Sequence, residues 1–206
     1  MRRSRRRSFR RKRLKRIIIA ALLAALLAVL GFLYITAYQE RMLYEQYPLR
    51  YEEQLTSYAR MFQLEPWHVA AVVRCESSFN PQATSNAGAR GLMQIMPETG
   101  KWIAHKLDED ATYTDESLYT PDVSLRYGCW YLNWLMKRYS GDRTVATAAY
   151  HAGHGTVDKW LQDPEVSKDG LTLSVIPYDS TSTYIRRVLN ACEKYQELYD
   201  FSDEAA

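Results

Sequence analysis

The chain has 206 residues, and its 27 basic and 24 acidic side chains give a formal net charge of +3. A hydrophobic content of 47% with 9 Gly and 7 Pro excludes a disordered or collagen-like chain, and three cysteines are too few for a disulfide scaffold. The charge is unevenly distributed, because residues 1–16 hold eleven Arg and Lys and no acid, which leaves the remainder with 16 basic and 24 acidic residues, or −8. An acidic body is a poor partner for polyanions, so no nucleic-acid partner is predicted.

An uncharged segment follows the basic tail. Residues 17–35 are nineteen residues without a charge, and the uncharged run continues to Gln39. At about 1.5 Å per residue such a helix is about 30 Å long, which is the thickness of the hydrocarbon core of a bilayer. A cleavable signal peptide is the alternative, but its apolar stretch is usually about 7–15 residues long. We therefore predict one transmembrane helix.

The basic tail indicates how this helix is oriented. Positive residues next to an apolar span remain on the cytoplasmic side. We therefore predict a single-pass protein of the cell membrane, with a cytoplasmic N-terminus and an extracytoplasmic body after Tyr38. The predicted organisation is a basic tail over 1–16, a transmembrane helix over 17–38, a helical stem over 39–54, a globular domain over 55–200 and an acidic tail over 201–206.

Helical signals dominate the body, so we predict a mostly α fold. The stem is interrupted by Pro48, and three later helices are predicted to begin at a proline, the residue favoured in a first turn. The stretch 171–176 is the one β-like segment. The predicted helix starts are Pro66, Pro97, Pro121 (running to about Tyr139), Thr144 and Thr181 (running to Tyr199).

The cysteines and histidines do not indicate a metal site. All three cysteines lie in predicted helices beside apolar residues, which is typical of buried thiols, although a bridge between Cys129 and Cys192 is also compatible with the sequence. His151 and His154 are flanked by glycines, without an acid in the next turn. We predict neither a metal nor a cofactor.

One acidic residue lies on the buried face of a predicted helix. Val69, Val72 and Val73 form an apolar stripe, and the next position of that stripe is Glu76. A buried carboxyl group costs several kcal/mol as an unpaired charge, or it keeps its proton. A carboxylic acid that remains protonated near neutral pH can act as a general acid. The alternative is a structural Glu at a frayed helix end, exposed to water or paired with Arg74 or Arg90.

The other acidic residues have structural explanations. Glu98 lies in a predicted first turn, where the helix dipole favours a negative charge, and Asp142 is placed to cap a helix. Residues 108–110 are an acidic run expected to be solvated. No second catalytic carboxylate is therefore predicted.

The motifs around Glu76 resemble those of the lytic transglycosylases of the soluble-lytic-transglycosylase (SLT) family, which have a goose-type lysozyme-like fold. The resemblance covers residues 55–195 and rests on four separated motifs in the family's order. They are Glu76-Ser77 with Phe79-Asn80-Pro81, the loop from Ser85 through Gly88-Ala89-Arg90-Gly91-Leu92-Met93-Gln94-Ile95-Met96-Pro97, then Ala149-Tyr150-His151-Ala152-Gly153, and Tyr184.

The resemblance implies the function of individual residues. Glu76 would be the single catalytic acid and base, cleaving the β-1,4 bond between N-acetylmuramic acid and N-acetylglucosamine in peptidoglycan glycan strands. It would act with help from the substrate's N-acetyl group and leave a 1,6-anhydro sugar. The implied substrate-binding residues are Ser85, Gln94, Met96, Tyr150, His151 and Tyr184.

His151 departs from the family, which has Asn at this position. An Asn amide is a fixed donor and acceptor, whereas imidazole offers one of each when neutral and two donors when charged. Both a sugar-binding and a structural role remain open for His151. Two other functions also remain open for the chain: a muramidase that uses water, and a non-catalytic wall-binding protein of the cell envelope.

Overall fold

The computed structural model describes residues 2–202, with side chains from residue 15 onward. The chain forms two units, Met1–Gln46 and Tyr47–Ala206. Side chains of the predicted basic tail before residue 15, and residues 203–206 of the predicted acidic tail, lie outside the described residues.

The first unit is one helix, α1 (Arg2–Gln46), without a break at the predicted boundaries 16 and 38. Its segment Lys15–Gln46 is long and apolar enough to cross a membrane, and the side chains of the apolar part are exposed. Tyr34 and Tyr38 stack one helical turn apart, with ring centroids 6.5 Å from each other. Exposed apolar side chains around a whole helix are stable in a hydrocarbon environment and not in water.

The second unit is mostly α, as predicted, and no strand occurs in residues 2–202. Isolated bridges join Thr84 to Arg90 and Arg90 to Ile95. A short 3₁₀ helix, Asp115–Tyr119, precedes α5. The α-helices are α2 (Glu52–Met61), α3 (Pro66–Ser77), α4 (Pro97–Lys106), α5 (Pro121–Arg138), α6 (Arg143–Ala152), α7 (His154–Gln162) and α8 (Asp179–Leu198).

Local sequence accounts for the helix starts. The helices α3, α4 and α5 each begin at the predicted proline, which needs no hydrogen bond for its nitrogen in a first turn. Asp142 caps α6, because its carboxylate accepts the Val145 N–H at 2.9 Å. The structure adds α7 and the 3₁₀ helix, which were not predicted from the sequence.

The core is formed by α3 together with the helices around it. Residues 68–73 of α3 are all buried, so this helix is enclosed on every side over two turns. Its most extensive neighbour is α8, which buries Tyr184, Ile185, Val188 and Tyr195 at helical spacing. The segment after α1 is fastened to α8, since the Tyr195 hydroxyl donates to the Pro48 carbonyl at 2.8 Å.

One sequence-based expectation about the domain is wrong, and one alternative that the sequence left open is excluded. Residues 171–176 do not form a strand, because the N–H groups of Leu171 and Thr172 bind the Asp169 carboxylate at 2.8 and 2.7 Å instead of a neighbouring strand. The open alternative of a disulfide bridge also fails, since Cys129 and Cys192 are separate buried thiols; Cys75 is likewise a free thiol.

Gly91 is the position where the fold requires a glycine. Its φ is +76°, and a Cβ atom added there would lie 1.9 Å from the Leu118 carbonyl oxygen. Gly88, in the same loop, has a φ of +91° with open space around it. The loop therefore passes against the 3₁₀ helix at a distance that no other residue permits.

We expect Gly91→Ala to lower the free energy of unfolding by more than about 3 kcal/mol, because the new Cβ collides with backbone in addition to straining φ. Gly88→Ala is the matched control, with an expected cost of about 1 kcal/mol from φ alone. Thermal unfolding of the full chain in detergent measures both. Equal costs at the two positions would contradict the close approach at Gly91.

Candidate active site

Glu76 lies in the last turn of α3, where the helix stops abruptly. Ser78 and Phe79 both have positive φ, 51° and 61°, so the chain turns away directly after the helix. Phe79 is 1% exposed and is held in the core. The turn is further fixed by the Ser77 hydroxyl, which donates to the Leu92 carbonyl at 2.8 Å. Glu76 is thereby left half-buried, between the core and the surface.

The Glu76 carboxyl group is held by α8. The Tyr184 hydroxyl donates to Glu76 Oε1 at 2.5 Å, across 108 residues of sequence. Burial raises the pKa of Glu76 from 4.5 to about 7, and the bond from Tyr184 and the positive charge of Arg187 act in the opposite direction. Both the protonated and the ionised form of Glu76 are therefore accessible near neutral pH.

The two arginines considered as partners for Glu76 lie elsewhere. The Arg74 guanidinium lies 4.1 Å from the centroid of the Tyr47 ring. Arg90 donates to Glu116 at 2.7 Å and lies over the Tyr119 ring. The carboxyl group of Glu76 thus has a tyrosine as its hydrogen-bond donor, in place of a bidentate arginine that would keep it permanently ionised.

The loop between α3 and α4 is built by backbone and side-chain bonds around Gln94. Gln94 has a φ of 49°, and its Nε2 donates to the carbonyls of Ala83 and Gly91, each at 3.0 Å. Two carbonyl acceptors require the NH₂ end of the amide, so only the Gln94 Oε1 is available to a ligand. Met96, at the end of this loop, is 39% exposed.

Ser85 closes the other end of the loop. Its Oγ accepts the Ala89 N–H at 3.0 Å, and its backbone N–H donates to the Ala89 carbonyl at 2.9 Å. The Ser85 hydroxyl proton is not used in this pair, so it can be donated to another acceptor.

Tyr150 connects α6 to the same loop. Its hydroxyl donates to the Met93 carbonyl at 2.8 Å, and its ring contacts the Tyr131 ring with centroids 5.5 Å apart. Burial and the negative charge of Glu76 raise the pKa of Tyr150 well above its usual value of 10, so the phenol remains a donor. The same causes act on Tyr184, whose pKa is also raised.

His151 contacts α8 at two points. Its ring stacks on the Tyr184 ring with centroids 4.6 Å apart, and its Nδ1 lies 3.1 Å from the Thr181 Oγ1. Burial lowers the pKa of His151 below its usual value of 6.5, so the ring is neutral at neutral pH. His154, by contrast, contacts Trp134, with ring centroids 5.1 Å apart.

Other carboxylates have partners of their own. The expectation of a solvated run at 108–110 is wrong for Glu109, which is half-buried, pairs with Arg126 and accepts the Tyr127 hydroxyl at 3.0 Å. Glu98 is exposed in the first turn of α4. Within the described residues, no carboxylate is among the groups that shift the pKa of Glu76. Residues 2–202 also contain no cluster of three or more His, Cys, Asp or Glu able to hold a metal ion.

The structure adds two residues to those that the sequence motifs indicated: Arg187 acts on Glu76 by its charge, and Thr181 binds His151. Ser77, which belongs to the first motif, ties α3 to the loop. Thr181, Tyr184 and Arg187 are spaced by three residues on α8, and the helical periodicity of that segment could have placed them on one face. No sequence signal indicates which of the neighbouring residues this face contacts.

The chain belongs to the transglycosylase SLT domain family, whose model matches residues 53–171. The soluble lytic murein transglycosylase of Salmonella typhimurium is 32% identical over 148 residues, which cover 71% of this chain and 23% of that protein. The membrane-bound lytic murein transglycosylase C of Actinobacillus pleuropneumoniae is 30% identical over 160 residues, covering 68% of this chain and 44% of that protein.

Solved structures have the same domain fold. The 70-kDa soluble lytic transglycosylase of Escherichia coli matches with a TM-score of 0.67 at 27% identity, over 75% of this chain and 25% of that one. An inactive mutant of lytic transglycosylase Slt from Pseudomonas aeruginosa matches with a TM-score of 0.63 at 32% identity, over 77% of this chain and 26% of that one. The chain thus spans about a quarter of the length of these soluble relatives.

Burial of Glu76 predicts a pH-dependent stability. Because its folded-state pKa is raised from 4.5 to about 7, the proton favours the folded state, and the stability it contributes is present below about pH 4.5 and lost as pH rises to 7. Glu76→Gln removes the charge and keeps an acceptor for Tyr184. We expect this variant to equal the parent at pH 4 and to exceed it by about 3 kcal/mol at pH 8.

Thermal unfolding of the full chain in detergent between pH 4 and 9 measures this difference. The matched control is Glu98→Gln, an exposed position at which we expect no stabilisation that grows with pH. A constant difference between the Glu76→Gln variant and the parent across this range would show that Glu76 ionises as an ordinary surface acid.

Proposed function

We propose that this chain is a peptidoglycan lytic transglycosylase. It cleaves the β-1,4 bond between N-acetylmuramic acid and N-acetylglucosamine in glycan strands and leaves 1,6-anhydromuramic acid ends. The observation that carries the proposal is the half-buried Glu76, whose pKa of about 7 and bond from Tyr184 suit a residue that gives up and takes back a proton. Membership of a transglycosylase family and the names of its relatives support the same activity.

The proposed reaction uses Glu76 twice. Protonated Glu76 gives its proton to the glycosidic oxygen, and the bond to C1 of the muramic acid breaks with its electron pair going to that oxygen. The substrate's N-acetyl group stabilises the positive charge that develops at C1. The Glu76 carboxylate then takes the proton of the C6 hydroxyl while O6 forms its bond to C1. Glu76 is protonated again at the end, and water is not consumed.

The remaining site residues are proposed to bind the glycan. Gln94 would contact the sugar through its Oε1, since both of its N–H groups are bound within the loop. Ser85 would donate its hydroxyl proton, and Met96 would offer an exposed apolar surface at the start of α4. Tyr150, His151 and Tyr184 would form the wall of the site beside Glu76.

A water-using muramidase is the second candidate on this scaffold. Glycosidases that activate water or form a covalent intermediate use two carboxyl groups about 5–10 Å apart. A second carboxylate at such a distance would raise the pKa of Glu76 by repulsion, and no carboxylate in the described residues has that effect.

A non-catalytic wall-binding protein would have no use for a buried carboxyl group that destabilises the fold at neutral pH. Both arguments favour the transglycosylase.

We propose further that the chain is anchored in the cell membrane by one helix, with residues 1–16 in the cytoplasm, 17–38 in the membrane, a stem over 39–54 and the SLT domain over 55–200 outside. The exposed apolar surface of α1 and the eleven basic residues before it support this arrangement. A relative is also named as membrane-bound.

Product analysis tests the reaction. We expect the full chain, incubated with purified peptidoglycan, to release muropeptides that are lighter by the mass of one water molecule than the hydrolysis products, because the C6 hydroxyl replaces water. Mass spectrometry measures this difference, and reducing muramic acid ends throughout would indicate the muramidase. Glu76→Gln is expected to slow cleavage by about a hundred- to ten-thousand-fold, while Glu98→Gln retains it.

The pH profile tests the function of Tyr184. Since protonated Glu76 starts the reaction, kcat/KM is expected to fall above about pH 7. Tyr184→Phe removes a hydrogen bond that favours the carboxylate, so the pKa of Glu76 rises and the alkaline limb moves upward by about one pH unit. Tyr150→Phe is the matched control, because that hydroxyl bonds the Met93 carbonyl; its alkaline limb should remain at the parent's pH. An unmoved limb in Tyr184→Phe would remove Tyr184 from this function.

A further inference from the structure

The side chain of His151 contacts other residues of the domain, so it does not only face a ligand. His151 lies in the last turn of α6, and its ring stack and its hydrogen bond are both made to side chains of α8. Thr181 and Tyr184 are three residues apart, so they lie next to each other on one face of that helix. The imidazole covers this face with its ring on Tyr184 and its Nδ1 on Thr181.

The two contacts restrict different motions. Stacking at a centroid distance of 4.6 Å and an angle of 28° limits the plane of the Tyr184 ring, which would otherwise turn in a broad torsional well. The hydrogen bond between His151 Nδ1 and the hydroxyl of Thr181, a residue that is 1% exposed, fixes the imidazole itself. One edge of the His151 ring is therefore hydrogen-bonded to Thr181, and the face of the ring packs on the Tyr184 ring.

The orientation of Tyr184 decides the contact with Glu76. The phenol has a single O–H, and it reaches Glu76 Oε1 at 2.5 Å. The phenol oxygen lies on the axis about which the ring turns, so rotation of the ring leaves the oxygen in place. Because the O–H bond favours the plane of the ring, such a rotation directs the proton away from the Glu76 carboxyl group and weakens the bond. We propose that His151 is a positioning residue, which holds the Tyr184 ring in the orientation from which its hydroxyl bonds Glu76. This inference rests on the proposed function of Glu76, and it goes beyond a sugar contact for His151.

The charged and titratable groups around the contact come from three helices. Glu76 and Cys75 belong to α3, Tyr150 to α6, and Arg187 to α8. Arg187 is the positively charged group among them that acts on Glu76. His151 itself is neutral at neutral pH. A change of His151 therefore reaches Glu76 through Tyr184 and not by a loss of charge.

Substitutions at His151 and Thr181 test the ring stack and the hydrogen bond separately. His151→Asn removes the ring and keeps a polar group, so the stack on Tyr184 is lost. His151→Phe keeps an aromatic face and loses the bond to Thr181. His154→Asn is the matched control, since it makes the same change three residues later on a side chain that contacts Trp134. Thr181→Val tests the attachment without altering the imidazole.

The readout is the ionisation of Glu76, measured in two ways on the full chain in detergent. The first is the midpoint of the alkaline limb of kcat/KM. The second is the pH at which the stability difference between the Glu76→Gln variant and its own background develops to half of its full size. We expect His151→Asn to move the midpoint of the alkaline limb upward by about half to one pH unit, because a weakened Tyr184 bond favours the protonated carboxyl group. The stability midpoint should move upward by about half as much, because it lies midway between the unfolded and folded pKa of Glu76. His151→Phe should move both midpoints less, and His154→Asn should leave them unchanged.

The second readout does not depend on catalysis. If the chain did not cleave peptidoglycan, the stability midpoint would still test whether His151 positions Tyr184. A His151→Asn variant that raises KM and leaves both midpoints unmoved would assign His151 to sugar binding alone and overturn the proposal. Equal shifts in His151→Asn and His154→Asn would also overturn it, since they would reflect a general loosening where α6 ends and α7 begins.

Discussion

The arrangement of the proposed active site depends on one bond, from the Tyr184 hydroxyl to the half-buried carboxyl group of Glu76. Burial alone would raise the pKa of this carboxyl group above its value of about 7 or force the group out to solvent. The tyrosine donor and the charge of Arg187 offset part of that cost, and the resulting pKa of about 7 allows both protonation states near neutral pH. Because α3 and α8 are extensively packed together, the two ends of this bond are held by the core of the domain.

The loop between α3 and α4 forms the second part of the proposed site. Its shape comes from backbone contacts at Gly91 and from the amide of Gln94, which binds two loop carbonyls. The side chains that build this loop therefore present only part of their polar groups outward: Oε1 of Gln94 and the hydroxyl proton of Ser85. A preorganised loop of this kind spends little conformational entropy when a ligand binds.

Sequence reasoning succeeded where a local signal determines structure. The prolines at 66, 97 and 121 begin helices, and Asp142 caps another, because first-turn and capping preferences involve only neighbouring residues. It failed at residues 171–176, where a β-branched pattern was outweighed by the side chain of Asp169, which binds the backbone that a strand would need. It also treated Glu109 as solvated, since nothing local indicates its contacts with Arg126 and Tyr127.

Charge, length and helical periodicity are properties of consecutive residues. The basic tail, the apolar helix, the acidic body and the acid at position 76 of a buried helix face are therefore all evident before any fold is known. The contacts of Glu76 are not, because they depend on how distant helices pack. Its donor comes from 108 residues further along the chain, and the residue that stacks on this donor, His151, comes from a third helix. These neighbours are set by how α3, α6 and α8 pack, and packing is decided by the whole set of buried side chains together.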